Sequence, residues 1–227
     1  MTVNDTDLRA QLAAAFREER DPAALVLDNY LRWKGPPEHL IRVAPPEDEA
    51  GPQLVSRHFA VLVYPQNQLF TTYGTLGGSY RVIPHSPRSF GDPRGVRYEY
   101  LFHAAPEHEA EVCELLALVA EHPHRHNIEI GPGYVLPIGE PVSPGSGMEY
   151  LYFTYPYLDD SRLYEGAPYG QVERPDMLIQ WLWVFPIYLS EFNYIKAAGP
   201  QAFEELLEKR HGEVYDAYAF NRLPVVT

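Results

Sequence analysis

The sequence predicts a single α+β domain, with a mixed or antiparallel sheet packed by helices. Three observations carry this reading. The run Leu178–Phe185, LIQWLWVF, is almost wholly apolar and rich in aromatic and β-branched residues. It is far short of the roughly 20 apolar residues that span a bilayer, and it suits a strand covered on both faces in mid-sheet. Val112, Leu115, Leu116 and Val119 recur at i, i+3, i+4 and i+7, the stripe of an amphipathic helix. Strand and helix signals do not alternate regularly, which disfavours a doubly wound parallel sheet.

In chain order, Thr6 to Glu18 reads as a helix with Leu8, Leu12, Ala15 and Phe16 on one face. Asp21-Pro22 starts a second helix, with Asp as N-cap and Pro in the first turn. Val26, Tyr30 and Trp33 form its stripe and Gly35 closes it. Residues 1–35 are therefore expected to be a helical lead-in, and residues 36–227 the main domain. His39–Val43 is a short strand, and Pro45–Pro52 an acidic loop. His58–Tyr64 and Gln68–Tyr73 form a hairpin through Pro65-Gln66-Asn67. Gly74–Gly78 reads as a turn with special backbone angles; no Lys-Ser/Thr follows, so it is not a phosphate loop.

Pro84–Gly95 reads as an exposed loop and Arg97–Ala104 as a strand. Pro106-Glu107 opens the long helix, with Glu107, Glu109 and Glu111 suited to its N-terminal dipole. Gly131–Gly147 is a Gly/Pro connection, Met148–Tyr155 a strand, and Tyr157–Gly170 a polar and aromatic loop. After Leu178–Phe185, Pro186 is expected to stop strand pairing because it has no N–H. Ser190-Glu191 caps a helix that Gly199 closes, and Pro200 opens another with Phe203, Leu206 and Leu207 on one face. The tail Glu213–Thr227 has no clear pattern.

The chain has 227 residues, 45% hydrophobic and 22% charged, as a folded globular protein does. Its 18 Lys plus Arg against 31 Asp plus Glu give a net charge of −13. Such a balance repels phosphate backbones and attracts a basic protein. The single cysteine, Cys113, excludes an internal disulfide and a Cys-based zinc cluster, and its apolar neighbours suggest burial. Residues 1–20 carry acids and no apolar core, which points to cytoplasmic residence.

Two runs near the C-terminus, V-F-P-I-x-x-x-E (Val184–Glu191) and A-G-x-x-x-F-x-E-L-L (Ala198–Leu207), resemble the C-terminal signature of the suppressor-of-fused domain family. LFTTYGTLGGSY, Leu69–Tyr80, is similar to that family's strand with a following T-x-G turn. Tyr98–Val142 resembles its strand, long helix and G-x-x-x-x-x-G-x-P connection. The likeness runs from about Pro22 onward and implies a suppressor-of-fused-like fold.

Few residues suggest catalysis. His122, His124 and His126 could ligate zinc or nickel with Glu121 or Glu129, making a small metal-dependent hydrolase one alternative. Pro123 and Arg125 interrupt the set, and a helix C-terminus that favours His is the simpler reading. Asp159-Asp160 could bind a cation or lie on a solvated loop. No G-x-S-x-G elbow occurs. Tyr155, Tyr157, Asp159, Asp160 and Tyr164 combine rings and acids as a protein-binding surface does, or else pack a loop onto the body.

The resemblance implies a non-enzymatic protein-binding domain without metal or cofactor. Animal members sequester a transcription factor by adding an extended peptide to a sheet edge. They do so with a second domain for which 227 residues leave no room, so that partner is not carried over. Bacterial stand-alone members are viewed as immunity proteins that silence polymorphic toxins. The expected partner is thus a basic toxin domain, with no nucleic acid or membrane. A general adaptor is the other alternative.

Overall fold

The computed structural model describes residues 22–43, 54–57, 59–67, 70–89, 91–156, 171–211, 220 and 222–226. The expected helix 6–18, the acidic loop and the loop 157–170 fall outside these residues. Eight strands are described: β1 (His39–Arg42), β2 (Ala60–Asn67), β3 (Phe70–Leu76), β4 (Arg97–Ala104), β5 (Val135–Pro137), β6 (Met148–Thr154), β7 (Gln171–Arg174) and β8 (Met177–Tyr188). The helices are α1 (Ala23–Trp33), α2 (Ser86–Ser89), α3 (Glu109–His126), α4 (Leu189–Ala198) and α5 (Pro200–His211). Single 3-10 turns occupy Gly78–Tyr80 and Pro106–His108.

The strands form one mixed sheet in the order β1-β2-β3-β4-β8-β6-β5, with β7 added against β8. β4 and β8 run parallel, and the other pairs are antiparallel. β8 is 12 residues long and sits at the centre. One of its edges pairs with β4 over Ile179–Trp183. The other takes β7 over Met177–Gln180 and then β6 from Trp183 to Tyr188.

Alternation along β8 feeds two cores. Leu182 and Val184 join Val61, Tyr100, Phe102 and Phe153 beneath α3, which contributes Val112, Leu116 and Val119. Ile179, Trp181, Trp183, Phe185 and Ile187 point to the opposite face, covered by Val26 and Tyr30 of α1, Ile195 of α4, and Phe203 and Leu207 of α5. The fold is therefore a helix–sheet–helix sandwich whose middle layer is apolar on both sides, and the continuous apolar run follows from that. Tyr30 lies edge-on to Trp181, with ring centroids 5.6 Å apart. Its phenol presses on β3 at Gly74, where an added Cβ would stand 2.6 Å from the hydroxyl oxygen. This close approach accounts for a glycine inside a strand.

Several local expectations are corrected. Pro186 does not end β8; it pairs with Leu151. β4 pairing has already stopped at Trp183, so at Pro186 the strand has a described neighbour on one side only, a place where a missing N–H is tolerated. Pro65–Asn67 belong to β2, with a register shift between Pro65 and Asn67, so the hairpin turns later. The Gly/Pro connection contains β5, and the 84–95 loop contains the short helix α2. Ser190 does not cap α4: its hydroxyl donates to the Val226 carbonyl, while Glu191 Oε2 accepts from the Tyr188 N–H at 2.9 Å.

Trp181 is fully buried. Truncating it to Ala should cost about 3–5 kcal/mol, through lost transfer energy and the cavity left behind. Urea denaturation measures this, and an unchanged midpoint would contradict the double-sided burial of β8.

Candidate functional site

Of the sequence-derived surface residues, Tyr155 is described. It follows β6 and is 48% exposed, and partial burial raises its phenol pKa. Tyr157, Asp159, Asp160 and Tyr164 lie outside the described residues. Other exposed apolar side chains are Leu118 on α3, Leu189 at the start of α4, and Leu223.

The histidine cluster divides. α3 continues through Pro123 to His126 and ends at Asn127, whose φ of 52° is left-handed. His122 and His126 fall one turn apart, with ring centroids 4.5 Å apart. His124 turns elsewhere, and its Nε2 is buried without a hydrogen-bond partner among the described residues. Burial, then the charges of Arg81 and Arg97, push its imidazole down to about 4. No group of three or more His, Cys, Asp or Glu that could hold a metal exists among the described residues. The three-histidine ligand set that a hydrolase would need is therefore not brought together.

The most chemically distinctive group was missed from sequence. Glu99, in the middle of β4, is fully buried. Its carboxylate accepts the N–H groups of Gly77, Gly78 and Ser79 at 3.1, 3.2 and 3.0 Å. The hydroxyls of Thr75 and Ser79 donate to it at 2.5 and 2.6 Å. The left-handed Gly77, at φ 99°, turns these successive amides towards one point. Arg97 grips the other side of the turn, donating to the Ser79 and Tyr80 carbonyls. The glycine-rich loop is an anion cradle after all, and its anion is the chain's own side chain. Burial raises the Glu99 carboxyl to about 7 against the opposing pull of these donors. An acid amid the apolar strand YEYLFHA, following a Thr and glycines, was the available signal.

A second carboxylate is equally sealed. Glu191 and Arg222 are 0% and 2% exposed and form a two-pronged pair at 2.6 and 2.7 Å. Glu191 also accepts the Tyr188 and Val225 N–H groups, and Arg222 donates to the Pro186 carbonyl at 3.1 Å. Tyr188 donates its hydroxyl to the Arg222 carbonyl at 2.5 Å. One cluster thus binds the end of β8, the start of α4 and the C-terminal tail.

Under α1, the Lys34 ammonium lies 4.7 Å from the centroid of the Trp33 ring, and desolvation lowers it to about 8. The buried His103 imidazole contacts Thr72 at 3.1 Å and meets Trp183 edge-on. Burial and the Lys34 charge keep it neutral. Cys113 is buried, and its thiol is pushed up to about 12. A buried thiol of that kind is a poor nucleophile.

The profile of the family described as "Suppressor of fused protein (SUFU)" matches residues 56–218. A search of curated proteins finds no match. Among solved structures, a chain of the Sufu–Fu complex superposes with a TM-score of 0.64 at 11% identity, covering 90% of this chain and 92% of that one. A protein described as a suppressor of fused homologue from Neisseria gonorrhoeae FA 1090 gives 0.59 at 18% identity, covering 91% and 97%. Drosophila Suppressor of Fused gives 0.59 at 14% identity, and this chain spans 50% of its length.

Two outcomes follow from the sealed carboxylates. Arg222→Met should destabilise by roughly 3–5 kcal/mol, because it strands the buried Glu191 charge; Glu191→Gln combined with Arg222→Met should recover part of that loss in thermal unfolding. The Glu99 carboxyl holds its proton up to about 7 in the fold, against 4.5 ordinarily. Its contribution to stability is therefore complete below 4.5 and is lost as pH rises through 7. Glu99→Gln sets amide hydrogens against backbone donors and should cost roughly 1–3 kcal/mol at pH 5. The gap to the parent should narrow by pH 8. Parallel stability–pH profiles for the two proteins would refute the assignment.

Proposed function

The chain belongs to the suppressor of fused family, and on that premise we propose that it is a non-enzymatic, cytoplasmic protein-binding domain, an immunity protein that neutralises a basic toxin domain. Family membership across residues 56–218 is the observation that carries the binding reading, and the shared fold with Sufu in its complex with Fu supports it. The internal chemistry agrees. Strongly perturbed titratable groups often mark active sites. Here Glu99 and His103 are shut away from solvent, and Glu99 is engaged on five donors. A substrate cannot reach them. No helix among the described residues is long and apolar enough to cross a membrane.

The net charge of −13 supports a basic partner, drawn in by long-range attraction. β1 and β5 each pair on one side only among the described residues. They offer edges to which an extended segment could add. Tyr155 supplies an exposed ring four positions before Asp159 in the sequence, and an aromatic anchor with orienting charge is the mixture found at interfaces.

The test is a pull-down of partners from cells of the source organism, followed by binding kinetics at several ionic strengths. Reversing Asp159 and Asp160 to Lys should slow association, and added salt should do the same, since screening acts over about 10 Å at 0.1 M. Tyr155→Ala and Tyr157→Ala should instead speed dissociation. Salt-independent association would remove the electrostatic part of the proposal. Small-molecule turnover by the pure protein, with no protein partner, would overturn it.

A further inference from the structure

We infer that His122 and His126 form a two-imidazole chelate for a divalent transition ion, Ni2+ or Cu2+, at the C-terminal end of α3. The inference is independent of the toxin reading and rests on four features.

The first is placement. Residues four apart on a helix share a face, one turn above the other, and paired histidines at this spacing are a recurrent way for a helix to hold a metal. The three-histidine pattern in the sequence hides this pair, because Pro123 looks like a break. α3 nonetheless stays helical through His126.

Separation is the second feature. The two ring centroids lie 4.5 Å apart. A metal–nitrogen bond of about 2.0–2.1 Å, with the ring centre about 1.1 Å beyond the nitrogen, puts each centroid roughly 3.2 Å from the ion. Two rings meeting a metal at a right angle would then have centroids about 4.5 Å apart, and at a tetrahedral angle about 5.2 Å. The observed value matches adjacent corners of a square-planar or octahedral ion. That geometry favours Cu2+ and Ni2+ over tetrahedral Zn2+.

Third, the ligand atoms are uncommitted. Neither ring has a hydrogen-bond or ion-pair partner among the described residues.

The local field is the fourth. The last turn of α3 is the negative end of the helix dipole. The adjacent cation Arg125 is held by Glu121 at 2.7 Å. His124, two residues from each, has its Nε2 buried and does not join the pair.

No third protein ligand is at hand among the described residues, so water completes the coordination sphere. Such a site binds reversibly and does not hold the fold together. The untagged full chain should keep its thermal midpoint in EDTA, and it should be retained on immobilised Ni2+. Calorimetric titration with Ni2+ should show one ion per chain. His122→Gln or His126→Gln should weaken that binding roughly tenfold or more, while His124→Gln leaves it at the parent level. Bound Cu2+ should show two imidazole nitrogens by electron paramagnetic resonance in the parent and one in His126→Gln. Because His126 is exposed, that variant should melt as the parent does without metal. Equal loss in His124→Gln would overturn the pairing. Unchanged Ni2+ affinity in the double His122→Gln, His126→Gln variant would overturn the site.

Discussion

A strand segment buried on both faces must find all its partners inside the protein, and Trp181–Ile187 of β8 imposes that demand on the rest of the chain. Its backbone takes β4 on one side and β7 then β6 on the other. Its side chains split between two cores, each roofed by helices. A chain with helices on one face only would leave either Trp181 and Trp183 or Leu182 and Val184 in water. The three-layer arrangement follows from burying both sets.

Among the described residues two carboxylates are fully buried, Glu99 and Glu191, and both are tied to the edges of the core. Glu99 collects the amides of a turn whose carbonyls Arg97 takes, so one strand holds the whole turn in place from its own side chains. Glu191 does the same for the tail, reaching Arg222 and Val225 from the first turn of α4. Removing one member of such a set leaves the others unsatisfied in a medium that cannot replace water. These carboxylates are structural fasteners, although burial gives Glu99 the raised pKa often associated with catalysis.

The legible parts of the sequence were those governed by local pattern. β4 and β6 follow from their apolar runs to within a residue of their observed limits, and the Gly199-Pro200 break separates α4 from α5 as read. What local pattern could not reveal depends on distant partners. Pro186 was expected to end β8, because nothing in the sequence shows that β4 departs at Trp183. Glu191 could be assigned to a helix start, but Arg222 lies 31 residues away with no periodicity to connect them. The Glu99 cradle needed the register that sets β4 against the turn after β3. For the histidines, everything depended on helical phase: once α3 passes Pro123, His122 and His126 must meet and His124 must not.

The same internal pairing bears on how the molecule looks to a partner. The buried Glu191 and Arg222 cancel, so setting both aside leaves the balance of −13 unchanged. Burial raises the Glu99 carboxyl to about 7, and this one group holds at most a single unit of the excess. Almost none of the acidic excess is therefore absorbed by these fasteners. It is carried by the other ionisable side chains, and charge at a surface acts over about a Debye length. The interior uses charge at short range and in balance, to fix geometry. The surface carries it at long range and in excess, which favours encounter with a basic protein. The two fully buried carboxylates among the described residues therefore act within the fold, and the excess of −13 belongs to the rest of the chain.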